Sequence, residues 1–141
     1  MNDWPPDSPA TRLLGTLHFV ECRLEAAVEP LGLSLAKFGV LANLAAADEP
    51  LPLSALAERC ACVRSNMTQL VDRLEADALV RRTADQNDRR SVRAELTAEG
   101  RRRHAAGLQA LRETERAIFA PLTRDQRSSL MQLLSALHPA S

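Results

Sequence analysis

From Arg64 to Gln69 the chain reads Arg-Ser-Asn-Met-Thr-Gln. Arginine can hold guanine with two hydrogen bonds, asparagine and glutamine can do the same for adenine, and serine or threonine can meet a base edge or a phosphate. Met67, Leu70, Val71 and Leu74 recur at helical spacing. On a helix they form one apolar stripe, so Arg64, Ser65, Asn66, Thr68 and Gln69 point outward. Polar residues also open many ordinary helices, and this segment alone fits either reading. Further on, Asp88-Arg89-Arg90 sets two guanidinium groups on a polar loop, with a carboxylate placed to orient one of them. An arginine on a narrow protruding loop can enter the DNA minor groove. A solvated charge run is the alternative, and it weakens once the loop is seen to follow a helix-turn-helix.

The elements that must carry these groups follow from pattern and punctuation. Residues 1–7 are rich in Pro and Asp, a composition of frayed ends. Ser8-Pro9 opens a long helix whose apolar face is Leu13, Leu17, Val20, Leu24, Ala27 and Leu31, stopped near Pro30 and Gly32. Ser34 caps a second helix bearing Leu35, Phe38, Leu41 and Ala45. Leu51-Pro52-Leu53 is too short and too Pro-interrupted for a central strand. A third helix covers 54–60, and after a tight turn a fourth covers 64–77. The period then changes to two: 79–83 and 91–96 alternate as strands, with the polar loop 84–90 between them. Thr97 caps a long helix ending before Pro121, whose Leu108, Leu111 and Ile118 suit packing against other helices. Thr123 and Gln126 form a capping box for a last helix through Leu137.

Bulk properties narrow the classes. The chain has 141 residues, 45% of them apolar, which is enough for one domain with a real core. Aromatics are only 3%, so the core must come from Leu, Val and Ala, a composition that favours helices. Net charge is zero, yet residues 59–103 hold eleven arginines against seven acids, and the remainder is acidic by the same margin. A basic middle suits a polyanion-facing surface or a solvated helix face. No apolar run has the length of a membrane span, and the start lacks the order of a signal peptide. Three cysteines without a Cys-x-x-Cys pair point to a reduced, cytoplasmic protein. Neither a Gly-rich phosphate loop nor a nucleophile elbow nor a paired acid and base is present in the sequence, so an enzyme is not expected.

The runs LSALAERCACVRSNMTQLVDRLEADALVRR, DQNDRR and LTAEGR resemble the MarR family of bacterial transcription regulators, and SLAKFGVLANL is similar to that family's second helix. The resemblance spans roughly Arg12 to Leu137. It implies a mainly α fold with a small β-hairpin wing: a winged helix-turn-helix lobe over 34–96, with dimerisation helices over 8–31 and 97–138, in a single domain over 1–141. It implies a homodimer on double-stranded DNA with a palindromic operator, acting as a repressor. Ser65, Asn66, Thr68 and Gln69 fall at the family's major-groove positions and Arg89 and Arg90 at its wing tip, with Asp88 as the carboxylate that steadies the arginine. Arg73 and Arg81 are phosphate contacts or surface salt bridges. Ala61, Val63 and Ala78 stand where the family commonly has Gly, a Ser or Thr cap, and Gly. A winged-helix module for protein interaction, without specific DNA binding, is the competing class.

Family members often answer to small anionic aromatic ligands between the dimerisation helices and the DNA lobe. Arg12, His18 and Arg23 on the first helix are the ligand candidates, with an arginine available for a carboxylate or serving as a surface charge. Other members answer to oxidants through cysteine. Cys22 lies beside Arg23, and a nearby cation favours thiolate. The peroxide-sensing branch supports its cysteine with tyrosines, which this chain lacks. Cys60 and Cys62 read as small core residues. No cofactor is expected. A metal site is not expected either, since among His18, His104 and His138 only His18 has a neighbour at ligand spacing, Cys22.

Overall fold

The computed structural model describes residues 5–60, 64–85, 87–88 and 90–138; for Arg64 and Ser65 the backbone alone is described. Arg89, Ala61, Cys62 and Val63 therefore lie outside the described residues. The element order is α1 (Pro9–Val28), a short 3-10 turn, α2 (Leu35–Ala47), β1 (Leu51–Pro52), α3 (Leu53–Arg59), α4 (Arg64–Ala76), β2 (Val80–Ala84), β3 (Val92–Leu96), α5 (Ala98–Phe119) and α6 (Arg124–Leu137). The caps are those the sequence announces. Ser8, Ser34 and Thr97 each accept a backbone N–H from the first turn, and Thr123 and Gln126 close a reciprocal capping box.

The sheet departs from the expectation of a two-stranded hairpin. It has three antiparallel strands in the order β1-β3-β2, with Leu51 opposite Ala94 and Pro52 opposite Arg93. Two residues are too few to show a period, and Pro52 is tolerated because β1 is an edge strand. The wing itself pairs Val80 with Leu96 through Ala84 with Val92.

Among the described residues the buried apolar core lies between Val28 and Leu96. Val40, Leu41 and Leu44 of α2, Leu56 of α3, Met67, Val71 and Leu74 of α4, Leu79 and Val80 at the start of the wing, and Ala94 of β3 are buried together with Val28 at the end of α1. The stripe of α4 thus faces inward as its spacing requires. By contrast, Leu13, Leu14, Leu17 and Phe19 of α1 and Met131, Leu133, Leu134 and Leu137 of α6 are exposed. No single helix among the described residues is long and apolar enough to cross a membrane.

Thr97 fastens α5 to the corner between α4 and β2. Its backbone N–H donates to Leu79 O, its hydroxyl donates to Ala78 O at 2.6 Å, and the same oxygen accepts from Gly100 N. Gly100 lets the helix approach so closely that a Cβ there would stand 2.0 Å from Leu79 O. Ala78 holds φ at 60°, a left-handed turn that glycine adopts without strain.

Candidate nucleic-acid interface

With Met67 and Val71 fully buried, the opposite face of α4 is open. Asn66, Thr68 and Gln69 are exposed there, and Arg73 is exposed in the last turn. These polar groups stand on a helix whose direction is fixed by core packing on one side and by the wing on the other.

The wing tip is shaped by two carboxylates in succession. Asp85 Oδ1 accepts from Asn87 N at 2.9 Å, and Asp88 Oδ1 accepts from Arg90 N at 3.0 Å. Each is an Asx turn, a short polar side chain standing in for backbone. Asp88 thus shapes the backbone under the arginine; its described contact is to the Arg90 N–H. Arg93 reaches back along the sheet, pairing with Asp85 Oδ2 at 3.1 Å and donating to Pro50 O at 3.5 Å. The Asn87 N–H, and after it the Arg93 guanidinium, lower the Asp85 pKa. The carboxylate at the base of the loop is thus neutralised by Arg93, while Arg90 at the other end is exposed.

A groove of about 250 Å³ brings the two halves of the interface together. Its lining joins Ser54 at the start of α3, Thr68 of α4, and Arg90 and Ser91 of the wing. Hydroxyls from two helices and a guanidinium from the loop form a surface suited to a phosphate oxygen.

Arg82 was not singled out in the sequence, yet it joins wing to helix. Its guanidinium pairs with Asp72 and with Glu75 Oε1 at 3.0 Å, and its backbone N–H donates to Glu75 Oε2 at 3.0 Å. The Asp72 hydrogen bond is the main reason its pKa is raised. The signal was present: Asp72 and Glu75 are three apart on α4, on one face, and an arginine sits early in the next strand. Arg81, read as a phosphate contact or a salt bridge, pairs with Glu95 directly across the ladder.

The ligand candidates do not converge. Arg12 and Arg23 are exposed and lie roughly 16 Å apart along α1, at about 1.5 Å per residue. The concave apolar space near them, about 400 Å³ between α1, α2 and α5, is lined instead by Val20, Leu24, Leu108 and Phe119, with Arg112 and Glu115 as its charged members. Arg23 lies over the Phe19 ring, 5.8 Å from its centroid. The neighbour of the Cys22 sulfur is His18, one turn back, because consecutive helical residues diverge. Cys60 is half-buried against the core, with Asn43 Nδ2 at 3.5 Å from its sulfur, as a packing residue would be.

Comparison with known proteins agrees with this geometry. A family model described as MarR family matches residues 31–91. The HTH-type transcriptional regulator PecS of Dickeya dadantii is 30% identical over 128 residues, covering 86% of this chain and 77% of that protein. Among solved structures, a mutant MarR from E. coli complexed with operator DNA superposes with a TM-score of 0.82 at 25% identity, over 93% of this chain and 94% of the other. A probable transcriptional regulator from Pseudomonas aeruginosa gives 0.81 at 27% identity, over 93% and 97%. The helix-turn-helix, the arginine-tipped hairpin clasped to it and these relatives lead to one conclusion: the chain belongs to the MarR family of transcriptional regulators, with a winged-helix DNA-binding fold.

Proposed function

We propose that this regulator is a cytoplasmic repressor that binds a palindromic operator as a homodimer and lets go when a small ligand binds. The observation that carries the DNA reading is the groove shared by Thr68 of α4 and Arg90 of the wing. In this reading α4 enters the major groove with Arg64, Ser65, Asn66, Thr68 and Gln69 at base edges and sugar-phosphate, while Arg89 and Arg90 follow the backbone into the adjacent minor groove. Arg73 meets a phosphate, and Asp88 holds the loop that presents the arginines. Residues 34–96 act as the reading lobe and 8–31 with 97–138 as the dimerisation part. The exposed leucines of α1 and α6 support that division, since an apolar face of this size needs a cover. The apolar space between α1, α2 and α5, with Arg112 at its edge, is the place for an anionic aromatic effector.

Selection of bound sequences from random DNA tests the reading directly. A two-fold palindrome with half-sites about one helical turn apart is the expected result. Recovery of no preferred sequence would favour a protein-interaction module instead. Arg89→Ala with Arg90→Ala should weaken operator binding at physiological salt and leave the dimer intact; unchanged affinity would remove the wing from the interface.

A further inference from the structure

The wing is gripped from both faces of its sheet. In the ladder Arg82 lies opposite Ala94, and Thr83 lies opposite Arg93. Successive positions along a strand point to opposite faces. Ala94 is buried, so Arg82 shares the core side, where it meets Asp72 and Glu75 of α4. Arg93 stands on the outer side beside Thr83. There its guanidinium reaches Asp85 Oδ2 at 3.1 Å with one nitrogen and Pro50 O at 3.5 Å with another. Its third nitrogen, Nε, is enclosed and has no hydrogen-bond partner among the described residues. Enclosing a donor without a partner costs free energy. A loose surface charge would turn that nitrogen to water, whereas this group is held against the sheet by its two outer contacts.

We propose that Arg93 is a positioning residue for DNA binding: it ties the base of the wing loop to the corner before β1 and so aims Arg90. Asp85 is the piece that is held. Its Oδ2 takes Arg93, its Oδ1 accepts from Asn87 N at 2.9 Å, and its own N–H donates to Ser91 O at 3.2 Å, next to Arg90. Pro50 lies 43 residues before Arg93, just after α2, whose Val40, Leu41 and Leu44 are buried in the core. The loop is thereby referred to the core of the protein and not only to the strand that precedes it. Arg93 also lines, with Pro50, Thr83, Asp85 and Asn87, a recess of about 380 Å³, so the tie is a side chain at the edge of open space.

Charge adds to the positional effect. Residues 84–90 carry two acids and two arginines. An unpaired Asp85 would face the same phosphates that Arg90 must approach, and Arg93 removes that repulsion while fixing the carboxylate. This inference rests on the DNA reading proposed above.

The test uses the full-length protein and a duplex that wild type selects from random DNA. Arg93→Gln and Asp85→Asn are compared with the double variant, whose net charge equals that of wild type. Asparagine can still accept from Asn87 N, so Asp85→Asn removes the tie and keeps the turn. Both single variants should bind about three- to tenfold more weakly, and the double variant no more weakly than the worse of them, because all three lose one shared interaction. Asp85→Asn should thus weaken binding although it removes an anion near DNA. Repeating the selection with Arg93→Gln should relax preference at the flanking bases under the wing and keep it at the bases under α4. Both side chains are partly exposed, and melting should be unchanged in all three. Charge acting alone predicts tighter binding by Asp85→Asn and wild-type binding by the double variant; either result overturns the proposal. So does wild-type affinity in Arg93→Gln, or a fall in melting temperature that tracks the lost affinity. Recovery of no preferred sequence by wild type itself would overturn the DNA reading and this inference together.

Discussion

Asn66 and Gln69 face away from the core that buries their neighbour Met67, as the proposed base-reading role requires. Met67 is fully buried, whereas Asn66 and Gln69 are exposed. Asn66→Ala or Gln69→Ala should therefore leave stability nearly unchanged and cost ~1–3 kcal/mol of discrimination at one base position. Competition binding with single-base operator variants measures it; retained discrimination in both variants would remove these residues from base reading. The alternation of buried and exposed positions on α4 was legible because a helix imposes its period on the sequence. His104 was not legible as anything but a distant histidine. It stacks on Phe38 with ring centroids 5.3 Å apart, and burial lowers its pKa from the ordinary 6.5. The folded state thus binds its proton less readily than the unfolded chain. That contribution to stability is complete above about pH 6.5 and is lost as pH falls below it. Urea denaturation at stepped pH should show this decline in wild type and a flatter profile in His104→Gln.

At the scale of elements, two joints hold the reading surface. Arg82 links β2 to Asp72 and Glu75 of α4. Arg82→Ala should lower stability by only about 1 kcal/mol, as partly exposed ion pairs do. It should also weaken operator binding, since α4 and the wing lose their fixed angle; equal affinity for DNA would mean that core packing alone sets that angle. The second joint is the turn at Ala78. Ala78→Gly removes a left-handed strain worth ~1 kcal/mol, less what glycine gains in unfolded freedom, so a small rise in melting temperature is expected. A fall would show that the turn tolerates its alanine at no cost. The sequence made Ala78 visible because glycine was missing where a helix must end sharply. It hid β1, whose two residues acquire strand character only through β3, and it gave the Arg82 bridge only as a spacing, since Asp72 and Glu75 meet the arginine once β2 turns back along α4.

For the whole molecule, the division of apolar surface decides the assembly. The buried core runs from Val28 to Leu96, yet leucines on α1 and α6 remain uncovered. On the proposed homodimer, Leu133→Glu with Leu137→Glu should yield a monomer in sedimentation and abolish tight operator binding, while the helical signal of the rest of the chain persists. A variant still dimeric would place the interface elsewhere. The terminal helices were legible as amphipathic, but an apolar stripe does not say whether its cover is the same chain or another. The attachment of α5 at Thr97 and Gly100 has a mechanical consequence. At about 1.5 Å per residue, this 22-residue helix is a rod about 33 Å long, with one end clamped to the corner that carries α4. A pivot of about 5° at the far end would carry the clamped end about 3 Å sideways, close to the ~3.4 Å step between base pairs. In a lobe held this stiffly, a slight wedge between the distant helices would put the protein out of register with its site by a whole step, without bending any part of the reading surface.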